Sequence, residues 1–182
     1  IMFEGEIGSE MVVGSPASFL LKIRGSQSPD LWITNVTVRG LTFRDEDPLA
    51  HIVVGGEESH GIIIDHCTNA RVENCNFYSI GDESISFGAC SGGFALNNYF
   101  SGCNAGSSAG GAITVNNTPG VNIQGVYNEG QVGGQAIRFE ATVAGFSYSN
   151  HNVSNCFFLN GSGVDIIISN GNFGIINNVN IN

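Results

Sequence analysis

The 182-residue chain is long enough for one well-buried domain, and its composition excludes several classes of protein. A formal net charge of −10 with only six Lys and Arg residues would repel a phosphate backbone, which argues against nucleic acid as a partner. No uninterrupted run of about 18 apolar residues offers a membrane span. A hydrophobic fraction of 42% is nevertheless sufficient to build a core.

A six-residue motif recurs along the chain and predicts how the backbone turns. It consists of an apolar or small residue, any residue, Asn or Gly, two variable residues and usually an aromatic or apolar residue, and successive copies start roughly 23 to 34 residues apart. Only Gly and Asn occupy the third position, and these residues adopt left-handed backbone angles most easily. We therefore expect a sharp bend in every copy. The bends are predicted at Gly40, Asn74, Asn97, Gly125, Asn155 and Asn178.

Short strands of alternating pattern lie ahead of the motifs. Strands of this length, joined by one bend of fixed type in each repeat, cannot alternate in direction as hairpin strands do. The pattern predicts an all-β fold, a right-handed parallel β-helix (a solenoid) of about six rungs. Four strands begin about ten residues before a motif, at Ile62, Ile85, Ile113 and Ile166, and a fifth, at Ile137, begins about sixteen residues before the motif at Val153.

Equivalent residues of successive rungs stack in such a fold, so the two faces of these strands can be assigned. The inward ladders are predicted to be Ile62, Ile85, Ile113, Ile137, Ile166 and Ile64, Phe87, Val115, Phe139, Ile168. The outward ladder is predicted to be Ile63, Ser86, Thr114, Arg138 and Ile167.

The repeat with its bends resembles the pectin-lyase-like superfamily of right-handed β-helices from about Leu31 to Asn182. That superfamily includes polysaccharide lyases, polygalacturonase-like hydrolases, esterases, phage tailspikes and helices without catalysis, so the resemblance implies a fold rather than one reaction. It also implies an extracellular, secreted or virion-surface location. A polysaccharide is the partner that it implies, lying along the outward ladder.

Part of the polygalacturonase pattern is present on this face. Residues 81–83 (Gly-Asp-Glu) stand where that family has Gly-Asp-Asp, and residues 138–140 (Arg-Phe-Glu) stand where it has Arg-Ile-Lys. Residues 109–111 (Ala-Gly-Gly) replace Gly-His-Gly and lack its histidine. His60 lies near the place of a further acid of the family.

The resemblance implies catalytic roles for Asp82 and Glu83. An inverting glycosidase holds two carboxyl groups roughly 6.5 to 9.5 Å apart, so the turn would have to splay these neighbours. A solvated acidic turn without catalysis is the alternative. No metal and no cofactor are predicted. Substrate-binding residues are predicted at His60, Ser86, Thr114 and Arg138.

A polysaccharide lyase is a weaker candidate, because Arg138 is the only cation on the predicted face. The alternative to an enzyme is a non-catalytic structural or adhesive segment, such as part of a tailspike, surface appendage or filament. A homotrimer or end-to-end assembly would then cover the outward side chains of Ile63 and Ile167. We expect residues 1–182 to form a single domain that is a segment of a longer chain, because Ile1 is an improbable natural start.

The five cysteines are expected to be mainly buried thiols. Cys67 and Cys90 occupy equivalent places on consecutive rungs, at a distance that a disulfide accepts. Cys75 and Cys156 are also equivalent, but they lie three rungs apart and cannot bond. The cysteine spacing predicts neither a zinc site nor an iron–sulfur cluster.

Overall fold

The computed structural model describes residues 1–5, 9–13, 19–28, 31–46, 60–103, 111–130, 134–143, 147–161, 164–169 and 175–182. Within these ranges the chain is all-β, and its strands form three sheets in which every pairing is parallel. The described part of the chain contains no helix with the length and hydrophobicity that a membrane crossing requires.

The chain visits the three sheets in turn, which we name A, B and C. Sheet A contains β1 (Met2–Glu4), β4 (Ile33–Thr34), β5 (Thr37–Arg39), β8 (Cys67–Glu73), β11 (Ser91–Leu96), β14 (Val121–Gln124), β17 (Ser147–Ser154) and β20 (Ile175–Ile181). Sheet B contains β2 (Glu10–Val13), β6 (Thr42–Asp45), β9 (Asn76–Tyr78), β12 (Tyr99–Ser101), β15 (Tyr127–Glu129) and β18 (Phe157–Leu159). Sheet C contains β3 (Phe19–Arg24), β7 (His60–Asp65), β10 (Ile85–Gly88), β13 (Gly111–Asn116), β16 (Gln135–Glu140) and β19 (Val164–Ser169).

The register of sheet C confirms the predicted ladders. Ile62 pairs with Ile85, which pairs with Ile113, and the same series continues to Ile137 and Ile166. The second inward ladder and the outward ladder pair in the same register. Most inward side chains are fully buried, and each such Ile or Phe contributes about 1.5 to 3 kcal/mol to folding. Ile168 is an exception, because it lies on the edge strand β19 and is 45% exposed.

Three consecutive strands of sheet B, β6, β9 and β12, stack aromatic rings in the interior, and the next strand places buried Asn128 in line with them. The ring centroids of Phe43 and Phe77 lie 5.1 Å apart, and those of Phe77 and Phe100 lie 4.9 Å apart. These distances match the spacing between hydrogen-bonded strands, so each of the three rings packs directly on the next.

One interior position of sheet A is polar. His151 on β17 is buried, packs 4.7 Å from the ring of Phe139 and accepts a hydrogen bond at Nδ1 from the amide of Val121 (3.4 Å). Burial lowers the pKa of His151 to about 4. The imidazole is therefore neutral at physiological pH and behaves as part of the core.

The bends between sheets A and B are also confirmed, because a residue with positive φ stands at five of the six predicted positions. Positive φ recurs at three further places in the rung, which the motif did not predict: after sheet C, within sheet A and after sheet B. Gly134, directly ahead of β16, also has positive φ (57°). The confirmed positions are Gly40 (φ 68°), Asn74 (53°), Asn97 (52°), Gly125 (64°) and Asn155 (53°). The further positions are His66, Ala89, Asn117; Asn35, Asn69, Gly92, Gly120, Asn150; and Ser79, Gly102, Gly130, Asn160.

Asn178, the sixth predicted position, does not lie at the bend between sheets A and B. Asn178 lies inside β20, between residues that pair with Ser149 and His151, whereas Val153 pairs with Ile181. The last copy of the motif is therefore out of register with the five others. The physical reason is that Asn and Gly also serve the bend within sheet A, so the same residue type marks two different places in a rung.

Candidate functional site

The N-terminal edge of sheet C, where its strands begin, carries the two residues predicted to be catalytic. β7 begins at His60, and the turn ahead of β10 contains Asp82 and Glu83. The amide of Gly61 donates to the carbonyl oxygen of Glu83 at 3.0 Å. This backbone pairing holds the acidic turn directly beside the histidine.

The side chains of His60, Asp82 and Glu83 form one cluster, which we call the His60 cluster. His60 Nδ1 lies 2.8 Å from Oε2 of Glu83 and 3.8 Å from Oδ2 of Asp82. The side chains of His60, Asp82 and Glu83 are 14%, 15% and 22% exposed, so a ligand can reach them although most of each is shielded from water. Shielding strengthens the electrostatic interactions among these groups and with any bound molecule.

The His60 cluster could hold a divalent metal ion. One nitrogen or oxygen atom from each of the three residues lies within 4.8 Å of the others. Imidazole nitrogen and carboxylate oxygen together are ligands of Zn²⁺ and of other transition metals. The same three groups are therefore available either for metal binding or for acid and base chemistry.

The two carboxylates are close together rather than splayed apart. The oxygen atoms of Asp82 and Glu83 in the cluster lie within 4.8 Å of each other, which is shorter than the roughly 6.5 to 9.5 Å of an inverting pair. The spacing is nearer the roughly 5 to 5.5 Å typical of retaining enzymes.

The outward ladder brings the predicted substrate-binding residues of three strands into line. Ser86, Thr114 and Arg138 are register partners on β10, β13 and β16. Ser86 is half-buried, but Thr114 is only 3% exposed and its Oγ1 accepts a hydrogen bond from the amide of Gly111 at 3.2 Å. Contact between Thr114 and a ligand stays a prediction, and this burial disfavours it.

Arg138 is held by its neighbour on the same strand. Its Nη2 donates to Oε1 of Glu140 at 2.8 Å, and its Nε is buried without a hydrogen-bond partner among the described residues. Sequence reasoning treated Glu140 as a replaced lysine and missed this pair. The signal was present, because alternate residues of a strand point to the same face.

The remaining part of the polygalacturonase pattern is only partly described. Residues 109 and 110 lie outside the described residues, and so does Ser59. Gly111 packs closely on the next strand, since a Cβ atom added there would lie 3.1 Å from Cβ of Arg138.

The five cysteines are free thiols, and all except Cys156 are buried. Cys67 and Cys90 donate to the carbonyl oxygens of Asp65 and Ile64, each at 3.2 Å. Contact between these two thiols lowers the pKa of Cys67 and, together with burial, raises the pKa of Cys90. Cys90 is therefore a neutral thiol at physiological pH.

The chain was compared with protein-family models, with curated proteins and with solved structures, and none of the three comparisons finds a match. Interpretation of the site therefore rests on the strands, bends and side chains described above.

Proposed function

We propose that this chain is an extracellular, secreted or virion-surface β-helix that binds a polysaccharide along the outward face of sheet C and hydrolyses it with Asp82 and Glu83. The observation that carries the proposal is the His60 cluster, in which two acids and an imidazole meet at the edge of that face with part of each side chain exposed. Paired carboxyl groups beside an extended surface are the arrangement that glycoside hydrolysis requires.

The proposal includes a right-handed helix of the pectin-lyase-like type. Three sheets of parallel strands, visited in the same order in successive rungs, support it. Connections between parallel strands of one sheet are right-handed in about 98% of cases, which favours the same sense here. The left-handed corner residues between sheets A and B are also those expected from the sequence motif.

The spacing of the two acids favours a double displacement. In the proposed reaction, Glu83 is oriented by His60 and attacks the anomeric carbon, while Asp82 gives its proton to the departing glycosidic oxygen. The glycosidic bond breaks as an ester bond to Glu83 forms. Asp82 then removes a proton from water, whose oxygen attacks the anomeric carbon and releases the Glu83 carboxylate. The product keeps its anomeric configuration.

The outward ladder supplies the binding surface. The Arg138 side chain, which is 20% exposed, and the half-buried Ser86 offer donors to sugar oxygens. Pairing with Glu140 offsets the charge of Arg138, so this surface suits a neutral sugar better than a uronate.

The test measures release of reducing ends from a panel of neutral and acidic polysaccharides, in the presence of a chelator so that a metal in the His60 cluster cannot contribute. Asp82→Asn and Glu83→Gln should each reduce the rate by about 10²- to 10⁴-fold, the usual contribution of a positioned acid or base. Asp65→Asn is the matched control, because Asp65 lies at the other end of β7 and pairs with Arg24. Its rate should equal that of the parent.

Unchanged rates in both variants would contradict the catalytic assignment. Binding without hydrolysis by the parent would instead favour the non-catalytic adhesive alternative. The anomeric configuration of the first product, followed by NMR, tests the double displacement separately.

A further inference from the structure

A cavity of about 660 Å³ opens at the C-terminal edge of sheet C, where the strands turn into sheet A. Its described wall contains no Asp, Glu, Lys or Arg. The volume lies within the range of about 300 to 1,000 Å³ that is typical of small-molecule sites. The residues that matter most to its chemistry are Trp32, His66, Cys90, Ser91, Asn117 and Tyr148.

Two polar atoms at this cavity lack partners. Trp32 Nε1 and His66 Nδ1 are buried and have no hydrogen-bond partner within the described part of the chain. Leaving a buried polar atom unsatisfied costs about 1 to 3 kcal/mol, and a ligand that bonds to these atoms after a small movement of the two rings would recover that loss. The two rings lie 6.0 Å apart at an angle of 82°, so an edge of one faces the other.

The backbone conformation of His66 fixes the direction of its side chain. His66 has φ 53°, a left-handed conformation that Gly or Asn would adopt more easily. The equivalent corner residues Ala89 and Asn117 also have positive φ, so this conformation belongs to the repeat and fixes the direction of the side chain at each corner. His66 lines the cavity, and a glycine at this corner would contribute no side chain to it.

The described wall contains no Asp, Glu, Lys or Arg, and its phenol and thiol groups are uncharged. Burial raises the pKa of Tyr148, and the contact with Cys67 together with burial raises the pKa of Cys90, so both groups stay protonated near pH 7. Asn117 is already satisfied, because its Oδ1 accepts from the amides of Thr142 and Val143. It acts as a positioning residue for that part of the wall.

We propose that this cavity binds a neutral sugar ring. The choice of a sugar as the ligand rests on the proposed function, whereas the location of the site does not. A pyranose has an apolar face for the indole and phenol rings, and hydroxyl groups that can bond to Trp32 Nε1, to His66 Nδ1 and to the hydroxyl of Ser91. An alkane would leave the polar atoms unsatisfied. An anionic sugar would find no cation in the described wall and would meet the net charge of −10.

Trp32 is the only tryptophan of the chain, so its fluorescence reports directly on this cavity. The experiment titrates the whole chain with the methyl glycosides of glucose, galactose, mannose and N-acetylglucosamine, and with glucuronate, galacturonate and tetramethylammonium as comparison probes. We expect a saturable change in emission with at least one neutral glycoside. The charged probes should give none.

Two variants test the wall without altering the probe. His66→Asn retains a residue that accepts positive φ and removes the imidazole, and Ser91→Ala removes an exposed hydroxyl. Each should weaken binding about three- to tenfold, the effect of one lost hydrogen bond. If His66→Asn does not fold, Ser91→Ala alone decides the matter.

The double variant Asp82→Asn, Glu83→Gln separates this inference from the proposed function. It should abolish hydrolysis and leave the fluorescence titration unchanged. If no neutral glycoside gives a saturable change in emission, the cavity assignment is overturned and the hydrolysis result is unaffected. Parent-like affinity in Ser91→Ala would also overturn the cavity assignment. A parent without hydrolysis that still binds a neutral glycoside would overturn only the proposed function.

Discussion

The two edges of sheet C differ in chemistry although the same strands form both. At the N-terminal edge, β7 and the turn ahead of β10 bring together an imidazole and two carboxylates. At the C-terminal edge, an indole, an imidazole and a phenol surround a cavity whose described wall carries no acid, Lys or Arg. One edge thus concentrates charge, and the other concentrates neutral polar and aromatic groups.

The backbone explains this difference. Strands of sheet C are reached through connections of unequal length, and the connection into β10, residues 79–84, contains Asp82 and Glu83. Three consecutive strands leave the sheet through one residue of positive φ: His66, Ala89 and Asn117. Loops of variable length can gather polar groups without disturbing the coil, whereas a fixed corner limits which residues fit. Side chains at such a corner are held in one direction and can line a cavity.

The largest effect that would test this view is expected at the corner residue Asn117. Asn117→Ala puts alanine at φ 48°, a conformation that asparagine adopts more easily. It also removes the side-chain hydrogen bonds to Thr142 Oγ1 and to the backbone amides of Thr142 and Val143. We expect a loss of about 2 to 3 kcal/mol in the free energy of unfolding, measured by urea denaturation. Asn117→Gly is the control, since it restores the backbone freedom but not the bonds, and it should lose less.

Hydrolysis provides the contrast in that experiment. Asn117→Ala should keep the reducing-end activity of the folded protein, because Asn117 lies at the edge opposite to the His60 cluster. Equal loss of activity and of cavity binding would show that the two edges are not independent.

A smaller effect is expected at the N-terminal edge from Gly61→Ala. The added Cβ would lie 2.4 Å from the carbonyl oxygen of Ser84 and 3.2 Å from the ring of Phe77, so the backbone of β7 has to shift. Overpacking of this kind typically costs about 1 to 3 kcal/mol, and we expect a loss of about 2 kcal/mol. The shift should also separate His60 from Glu83 and reduce hydrolysis, while the Trp32 titration stays unchanged. Parent-like activity would contradict the assignment of His60 as the group that orients Glu83.

Much of the fold could be predicted from sequence, because one physical constraint repeats in every rung. Gly and Asn at the bend between sheets A and B revealed that constraint, and the Ile and Phe ladders of sheet C followed from the strand period. The bends at Ala89 and Ser79 could not be found in this way, since neither residue type favours positive φ. Asn178 was misassigned because a second bend uses the same residue types.

The site was predictable only where the chain itself placed residues side by side. Asp82 and Glu83 are adjacent in sequence, and the rung period put His60 beside them. The cavity had no such signal, because Trp32, His66, Ser91 and Tyr148 come from four separate parts of the chain and share no motif. Their proximity follows from stacked corners, which become visible only in three dimensions.

The smallest and most specific effect is expected from Ala89→Gly, which asks whether the corner residues carry backbone strain. Ala89 has φ 48°, a conformation that costs an L-residue with Cβ about 1 to 2 kcal/mol, whereas Gly adopts it freely. Gly also gains about 0.5 to 1 kcal/mol of entropy in the unfolded chain, so the net result should be a stabilisation of about 0.5 to 1 kcal/mol, read from the urea midpoint at constant m-value. Ala70→Gly in β8 is the matched control, because Ala70 is a buried strand residue without positive φ, and it should destabilise the protein. If both variants were destabilised alike, the corner at Ala89 would carry no strain, and the backbone argument for the side chain at His66 would lose its basis.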